Sequence, residues 1–157
     1  MGAKAEKMVK NPDHVTLVVS DVERAKEFLA LLGFEEEMTK VIGGEVMAAY
    51  MGVPGIEAEH ITLVLKGCTP HFDIQLLKFH NPQALPDPHI RDLHKVGFNH
   101  LSFAVDDIKS EVQRLKDAGV KFRNDIMEFR GLKLVFLEGP EGITLELVER
   151  GDYTNGR

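Results

Sequence analysis

The sequence predicts an α+β protein made of two repeated units, each opening on a strand, passing into a helix and returning through further strands. Two observations carry this. Residues 14–33 and 100–119 match without a gap at an offset of 86, both running from a His through a strand-forming stretch to an Asp, an amphipathic helix and a Gly. The stretches that close the halves, Phe72 to Lys78 and Gly142 to Glu149, also read alike, as strands by composition and alternation.

The elements follow in order. In the first unit the strand beginning at His14 leads to Asp21, a helix N-cap, and to Val22, Ala25, Phe28, Leu29 and Leu32 at helical spacing. Gly33 suits the C′ position that ends that helix. Strands are expected over Phe34 to Val41, Glu59 to Lys66 and Phe72 to Lys78. In the second unit His100 opens the strand, Asp107 caps the helix, and Ile108, Val112, Leu115 and Ala118 form its apolar stripe up to Gly119. Strands are expected over Val120 to Arg123, Leu132 to Glu138 and Gly142 to Glu149, with Gly139-Pro140-Glu141-Gly142 as the turn between the last two. Matching Gln75 to Glu146 shortens the offset to 71, so the first unit carries 15 additional residues. Gly43 to Pro54 accommodates them, with a short helix at Glu45 to Met51. The expected organisation is an N-terminal extension over 1–11, a first unit over 12–80, a proline-bearing linker over 81–96 with a helical turn at Ile90 to His94, a second unit over 97–149, and a tail over 150–157.

Composition narrows the function classes. With 157 residues, 43% hydrophobic and 28% charged, the chain suits a folded domain with a real core. A net charge of −6 and the absence of a basic stripe argue against nucleic acid as a partner. No apolar run approaches the ~20 residues of a membrane span, and Met1 to Lys10 lacks the apolar core of a signal peptide. The lone Cys68 excludes an internal disulfide and a cysteine-cluster metal site. These features lead to the expectation of a cytoplasmic protein.

Strand parity then isolates four polar side chains. His14, Thr16 and Val18 share a face opposite Val15, Leu17 and Val19, and His100, Ser102 and Ala104 lie opposite Leu101, Phe103 and Val105. In the closing strands Gln75 and Glu146 likewise stand opposite the main apolar face. Each of these residues is unremarkable alone; a strand histidine is commonly an exposed end or a satisfied core group. Their equivalence in two repeats changes the reading, because two related units paired about a pseudo-twofold axis bring His14, Gln75, His100 and Glu146 to one point. A carboxylate buried there needs a cation or a hydrogen-bonded partner, and a divalent metal meets that need.

From about residue 12 to 149 the chain resembles the vicinal oxygen chelate superfamily, which includes glyoxalase I, methylmalonyl-CoA epimerase, extradiol dioxygenases and the bleomycin and fosfomycin resistance proteins. The resemblance rests on His14-Val-Thr-Leu-Val-Val-Ser-Asp, on Glu27-Phe-Leu-Ala-Leu-Leu-Gly-Phe, on Gln75, on His100 in Asn-His-Leu-Ser-Phe-Ala-Val-Asp-Asp, and on Glu146 in Gly-Pro-Glu-Gly-Ile-Thr-Leu-Glu-Leu-Val-Glu. It implies two tandem βαβββ units forming an open, cupped mixed sheet with helices on the outer face, a divalent metal in the cup, and a homodimer whose sites lie within one chain or across two. The sequence departs from the family pattern in three places. Phe28-Leu29 stands where Phe-Tyr is frequent, and Gln75 where many relatives have Glu. Met127-Glu128-Phe129-Arg130-Gly131 lacks the glycine-rich segment associated with methylmalonyl-CoA epimerases.

Two imidazoles, an amide oxygen and a carboxylate form a mixed nitrogen and oxygen set that suits Zn, Ni, Co, Fe or Mn without choosing among them. A metal so held is a Lewis acid that stabilises an enolate or enediolate of a small oxygenated substrate. Glu146 is the one ligand able to act as base, since Gln75 does not ionise. The expectation is a metal-dependent lyase, isomerase or epimerase of the glyoxalase I type. The alternatives are an extradiol-type dioxygenase using His14, His100 and Glu146, and a ligand-sequestering protein like those of bleomycin resistance. Glu45 and Glu59 are candidates for a second acid or base. His80, His89, Arg91 and His94 are candidates for the rim, and Tyr50 and Met51 for an apolar lid. Cys68, a turn residue in Gly-Cys-Thr-Pro, has little support as a nucleophile.

Overall fold

A computed structural model describes residues 8–151. The expected extension at 1–11 and tail at 150–157 therefore lie mostly outside the described residues. The chain divides into two compact units, Met1–Ala84 and Leu85–Arg157.

The first unit runs β1 (His14–Val18), α1 (Val22–Leu31), β2 (Phe34–Gly43), α2 (Gly44–Met51), β3 (Glu57–Leu65) and β4 (Asp73–Asn81). Its sheet has the order β1-β4-β3-β2, with β1 parallel to β4 and the other neighbours antiparallel. The second unit runs β5 (His100–Ala104), α3 (Ile108–Asp117), β6 (Met127–Phe129), β7 (Leu132–Glu138) and β8 (Thr144–Arg150). Its order is β5-β8-β7-β6, with β5 parallel to β8. Both units are thus βαβββ in plan, α2 being the addition in the first, and the expected α+β class holds.

The parallel registers show the repeat at residue level. Thr16 stands opposite Gln75 in β1–β4, and Ser102 stands opposite Glu146 in β5–β8. The openings are therefore displaced by 86 residues and the closing strands by 71, as read from the sequence, and α2 lies in the stretch that accounts for the difference.

Local chemistry explains the helices. Asp21 and Asp107 take extended backbone and accept from the N–H of Arg24 and Ser110, each at 3.0 Å. Each thereby satisfies one of the free donors of the first turn. The second helix start has a further tie: Glu149 of β8 accepts from the N–H of Ile108 at 2.8 Å and from Lys133 at 2.9 Å.

Each sheet has one strongly apolar face. Val15, Leu17, Ile74, Leu76, Ile61 and Leu63 align across β1, β4 and β3, and α1 supplies the buried Ala25 and Leu29. In the second unit Leu101, Phe103, Leu145, Leu147, Val135 and Leu137 align, and α3 supplies Ile108, Val112 and Leu115. Burial of each such Leu or Ile is worth roughly 1.5–3 kcal/mol. The opposite faces carry Gln75 and Glu146. In the first unit the far end of that face is covered by α2: Met47, Ala48 and Val53 pack with Phe79 on Ile42, Ile56, Ala58 and Leu77. Gly52, at φ +67, ends α2 in the left-handed region, where its N–H returns to the Ala48 carbonyl.

One expected strand lies elsewhere. Val120 to Arg123 has strand composition, but only Phe122 forms a bridge, to Leu137. The partner of β7 is Met127–Phe129, joined to it by Arg130-Gly131 with φ +50 and +75. Two residues of positive φ between paired strands make a tight hairpin of the type I′ kind, so turn chemistry placed this strand. The expected helical turn at Ile90 to His94 is a series of turns.

Candidate metal centre

His14 and His100 each open the strand that runs parallel to the one bearing Gln75 or Glu146. The residue before each histidine is also equivalent. Asp13 Oδ1 lies 2.6 Å from His14 Nδ1, and Asn99 Oδ1 lies 2.7 Å from His100 Nδ1. A carboxylate only accepts, so His14 donates through Nδ1. Asn99 donates its amide nitrogen to the Leu93 carbonyl at 2.5 Å, which turns its oxygen toward His100. Both imidazoles are therefore anchored through Nδ1–H and present the Nε2 lone pair. A metal-binding histidine is commonly held in this way, because the second nitrogen fixes tautomer and ring orientation.

In the second unit His100 Nε2 is 3.8 Å from Glu146 Oε1. The Glu146 side chain is only 14% exposed and accepts from Ser102 Oγ at 2.8 Å. The His100 ring meets Phe136 edge-on at 5.1 Å between centroids. Phe136 is the β7 residue opposite Glu146, so it walls one side of this pair. An imidazole lone pair and a carboxylate facing each other, both otherwise positioned, are donors of the kind that could hold a cation.

In the first unit Gln75 is held from two sides. Its Nε2 donates to Asp73 Oδ2 at 3.0 Å, and its Oε1 accepts from His60 Nε2 at 2.9 Å. Asp73 is almost fully buried and also receives His71 Nε2 at 3.2 Å. Each unit therefore supplies one strand-opening histidine and one oxygen donor two residues into the adjacent strand. Among the described residues no three His, Cys, Asp or Glu side chains gather into one cluster. The chemistry of the donors present, nitrogen and oxygen with no sulfur, fits a divalent transition metal.

Several candidates lie elsewhere. Glu59 pairs with His80 at 3.2 Å, and strand parity puts both on the face opposite Gln75. Glu45 is exposed in the first turn of α2. His89 binds Asp92, and His94 is exposed. Arg91 bonds Glu138 at 2.7 Å and holds that carboxyl below its ordinary range. Arg123 bonds the Arg91 and Gly142 carbonyls, so these arginines brace the turn before β8. The α2 residues facing the sheet are Met47 and Ala48, whereas Tyr50 is 84% exposed, so Tyr50 is no lid in this unit. Cys68 sits in a turn after β3.

Three residues that matter here were not picked out by the sequence. Asp13 and Asn99 carried a signal in the same offset of 86 that relates the histidines. His60 stands two residues before Thr62, the β3 partner of Gln75, and parity alone puts it on the Gln75 face.

Comparison with known proteins agrees with this architecture. The chain belongs to the Glyoxalase/Bleomycin resistance protein/Dioxygenase superfamily, whose family model matches residues 11–147. Glyoxalase I of Saccharomyces cerevisiae is 38% identical over 64 residues, which is 38% of this chain and 20% of the yeast protein. The match thus spans about a fifth of that relative. A glyoxalase family protein from Bacillus cereus superposes with a TM-score of 0.81 at 26% identity, covering 95% of this chain and all of that one. A mutant of the fosfomycin resistance protein FosX from Listeria monocytogenes, complexed with Mn(II) and 1S,2S-dihydroxypropylphosphonic acid, shares the fold. It has a TM-score of 0.57 and 17% identity, covering 92% of this chain and 96% of that chain.

Proposed function

We propose that this chain is a divalent-metal-dependent lyase, isomerase or epimerase of the glyoxalase I type, with His14, Gln75, His100 and Glu146 as the metal ligands. The observation that supports this most is the matched anchoring of His14 and His100. Both present Nε2, each from a strand parallel and adjacent to the one carrying an oxygen donor. A centre of four ligands combines two such pairs, from the two units of one chain or from two chains of a homodimer. A divalent ion held there supplies Lewis acidity, which stabilises negative charge on a substrate oxygen as a proton leaves the neighbouring carbon.

The remaining work belongs to the side chains. Gln75 has no ionisable proton, so it binds and orients. Glu146 is the base, and Ser102 donates to its Oε1, leaving Oε2 to take and return the proton. Phe136 beside His100 limits water on that side. A small substrate with adjacent oxygens and an acidic C–H suits these groups.

The test is a turnover screen of the metal-reconstituted chain with glutathione–methylglyoxal hemithioacetal, acyl-CoA thioesters and catechols. Proton exchange or isomerisation of a carbonyl substrate supports the proposal. Catechol ring opening contradicts it in favour of a dioxygenase, and tight binding without turnover favours sequestration. In the Glu146→Gln variant turnover is expected to fall about 10²–10⁴-fold.

A further inference from the structure

The two oxygen donors are held differently. Glu146 is a carboxylate, and either end presents an oxygen. Gln75 is a carboxamide: turned one way it offers an oxygen lone pair, turned the other an NH₂ that binds no cation. In the unit with the amide two side chains, Asp73 and His60, bond its two ends, whereas in the other unit Ser102 donates to Glu146. Asp73 accepts from Gln75 Nε2, so the amide oxygen must face His60, and His60 must donate through Nε2. That tautomer leaves His60 Nδ1 as a bare acceptor, and it is buried with no partner among the described residues. A buried polar atom without a partner opposes folding, so packing alone does not account for this histidine. In the second unit the position equivalent to Asp73 is Thr144, and the one equivalent to His60 is Leu134, opposite Val148 as His60 is opposite Leu77. Leu134 has no donor, and the Thr144 hydroxyl both donates and accepts, so neither fixes an amide's orientation as His60 and a carboxylate do, and a carboxylate at Glu146 needs none.

We propose that His60 is a positioning residue: with Asp73 it locks the Gln75 carboxamide so that Oε1, with its second lone pair free, is the atom offered as a ligand. This rests on the metal-centre reading for its consequence, though the lock itself is a property of the metal-free chain. Two measurements test it. The first is ¹⁵N NMR of the metal-free protein, in which His60 is expected as the neutral Nε2–H tautomer. The Gln75 side-chain amide resonances should shift in His60→Leu, the variant that copies the second unit. A Nδ1–H tautomer, or Gln75 resonances indifferent to His60→Leu, overturns the proposal.

The second is the dissociation constant for manganese(II), by calorimetry, in wild type, His60→Leu, Gln75→Ala and the double variant. His60→Leu is expected to weaken binding about 10–100-fold, and to add almost nothing in the Gln75→Ala background. Equal losses in both backgrounds mean a structural role acting on the whole site, and overturn the proposal. His60→Gln, which keeps an N–H donor, should recover part of the loss; no recovery counts against the proposal. A wild-type chain that binds no metal ion contradicts the metal-centre reading, and the NMR result then decides whether the lock exists.

Discussion

At the scale of single residues, the two strand-opening histidines are oriented by the residues that precede them. Asn99 is held by the Leu93 carbonyl so that its own oxygen faces His100, and Asp13 does the same for His14 by being a carboxylate. Asn99→Ala should therefore weaken metal binding about 10–100-fold, whereas Asn99→Asp, which copies Asp13, should retain most of it. Calorimetric titration of the two variants checks this; equal losses contradict the anchoring role. The candidate donors stood out in the sequence because a histidine recurs at the offset of 86 and an oxygen donor, Gln75 or Glu146, at the offset of 71. Their supports, Asp13 and Asn99, share the offset of 86 but precede the strands, where alternation gives no face to read. His60 has Leu134 as its counterpart, so no repeat marks it.

At the scale of elements, the helices were readable because caps and apolar spacing are local signals. The Asp21 cap alone should matter: Asp21→Ala is expected to cost about 1 kcal/mol, measurable by denaturant unfolding. The hairpin β6–β7 was not found, because Met127–Phe129 is short and exposed and its signal lay in the Arg130-Gly131 turn. Gly131→Val puts a β-branched residue at φ +75 and should destabilise that hairpin, seen as faster amide exchange in β6 while β1 to β4 stay unchanged. The start of α3 responds to acid. Hydrogen bonds from the Ser110 hydroxyl and N–H hold Asp107 below its ordinary pKa, and the Ile108 N–H followed by Lys133 does the same for Glu149. A lowered carboxyl pKa contributes stability that is complete above the unfolded value and is lost as pH falls through the folded one. Thermal melts should decline across the acid carboxylate range, and Glu149→Gln should flatten that decline.

At the scale of the whole molecule, the chain is two variants of one βαβββ unit. One closing strand bears the carboxylate of Glu146, the other the amide of Gln75, bonded by Asp73 and His60. The equivalence of β1–β4 and β5–β8 followed from the two offsets. The role of the inserted residues did not, because α2 packs on the sheet through Met47 and Ala48 while Tyr50 points to solvent. The central claim is that the equivalent donor pairs together hold one divalent ion, and metal content tests it most directly. Elemental analysis of the protein purified without chelator, then reconstituted with Mn, Fe, Co, Ni or Zn, should find about one equivalent per chain. His100→Ala should lose it. Less than about a tenth of an equivalent in the reconstituted wild type, or full stoichiometry retained by His100→Ala, would contradict the account.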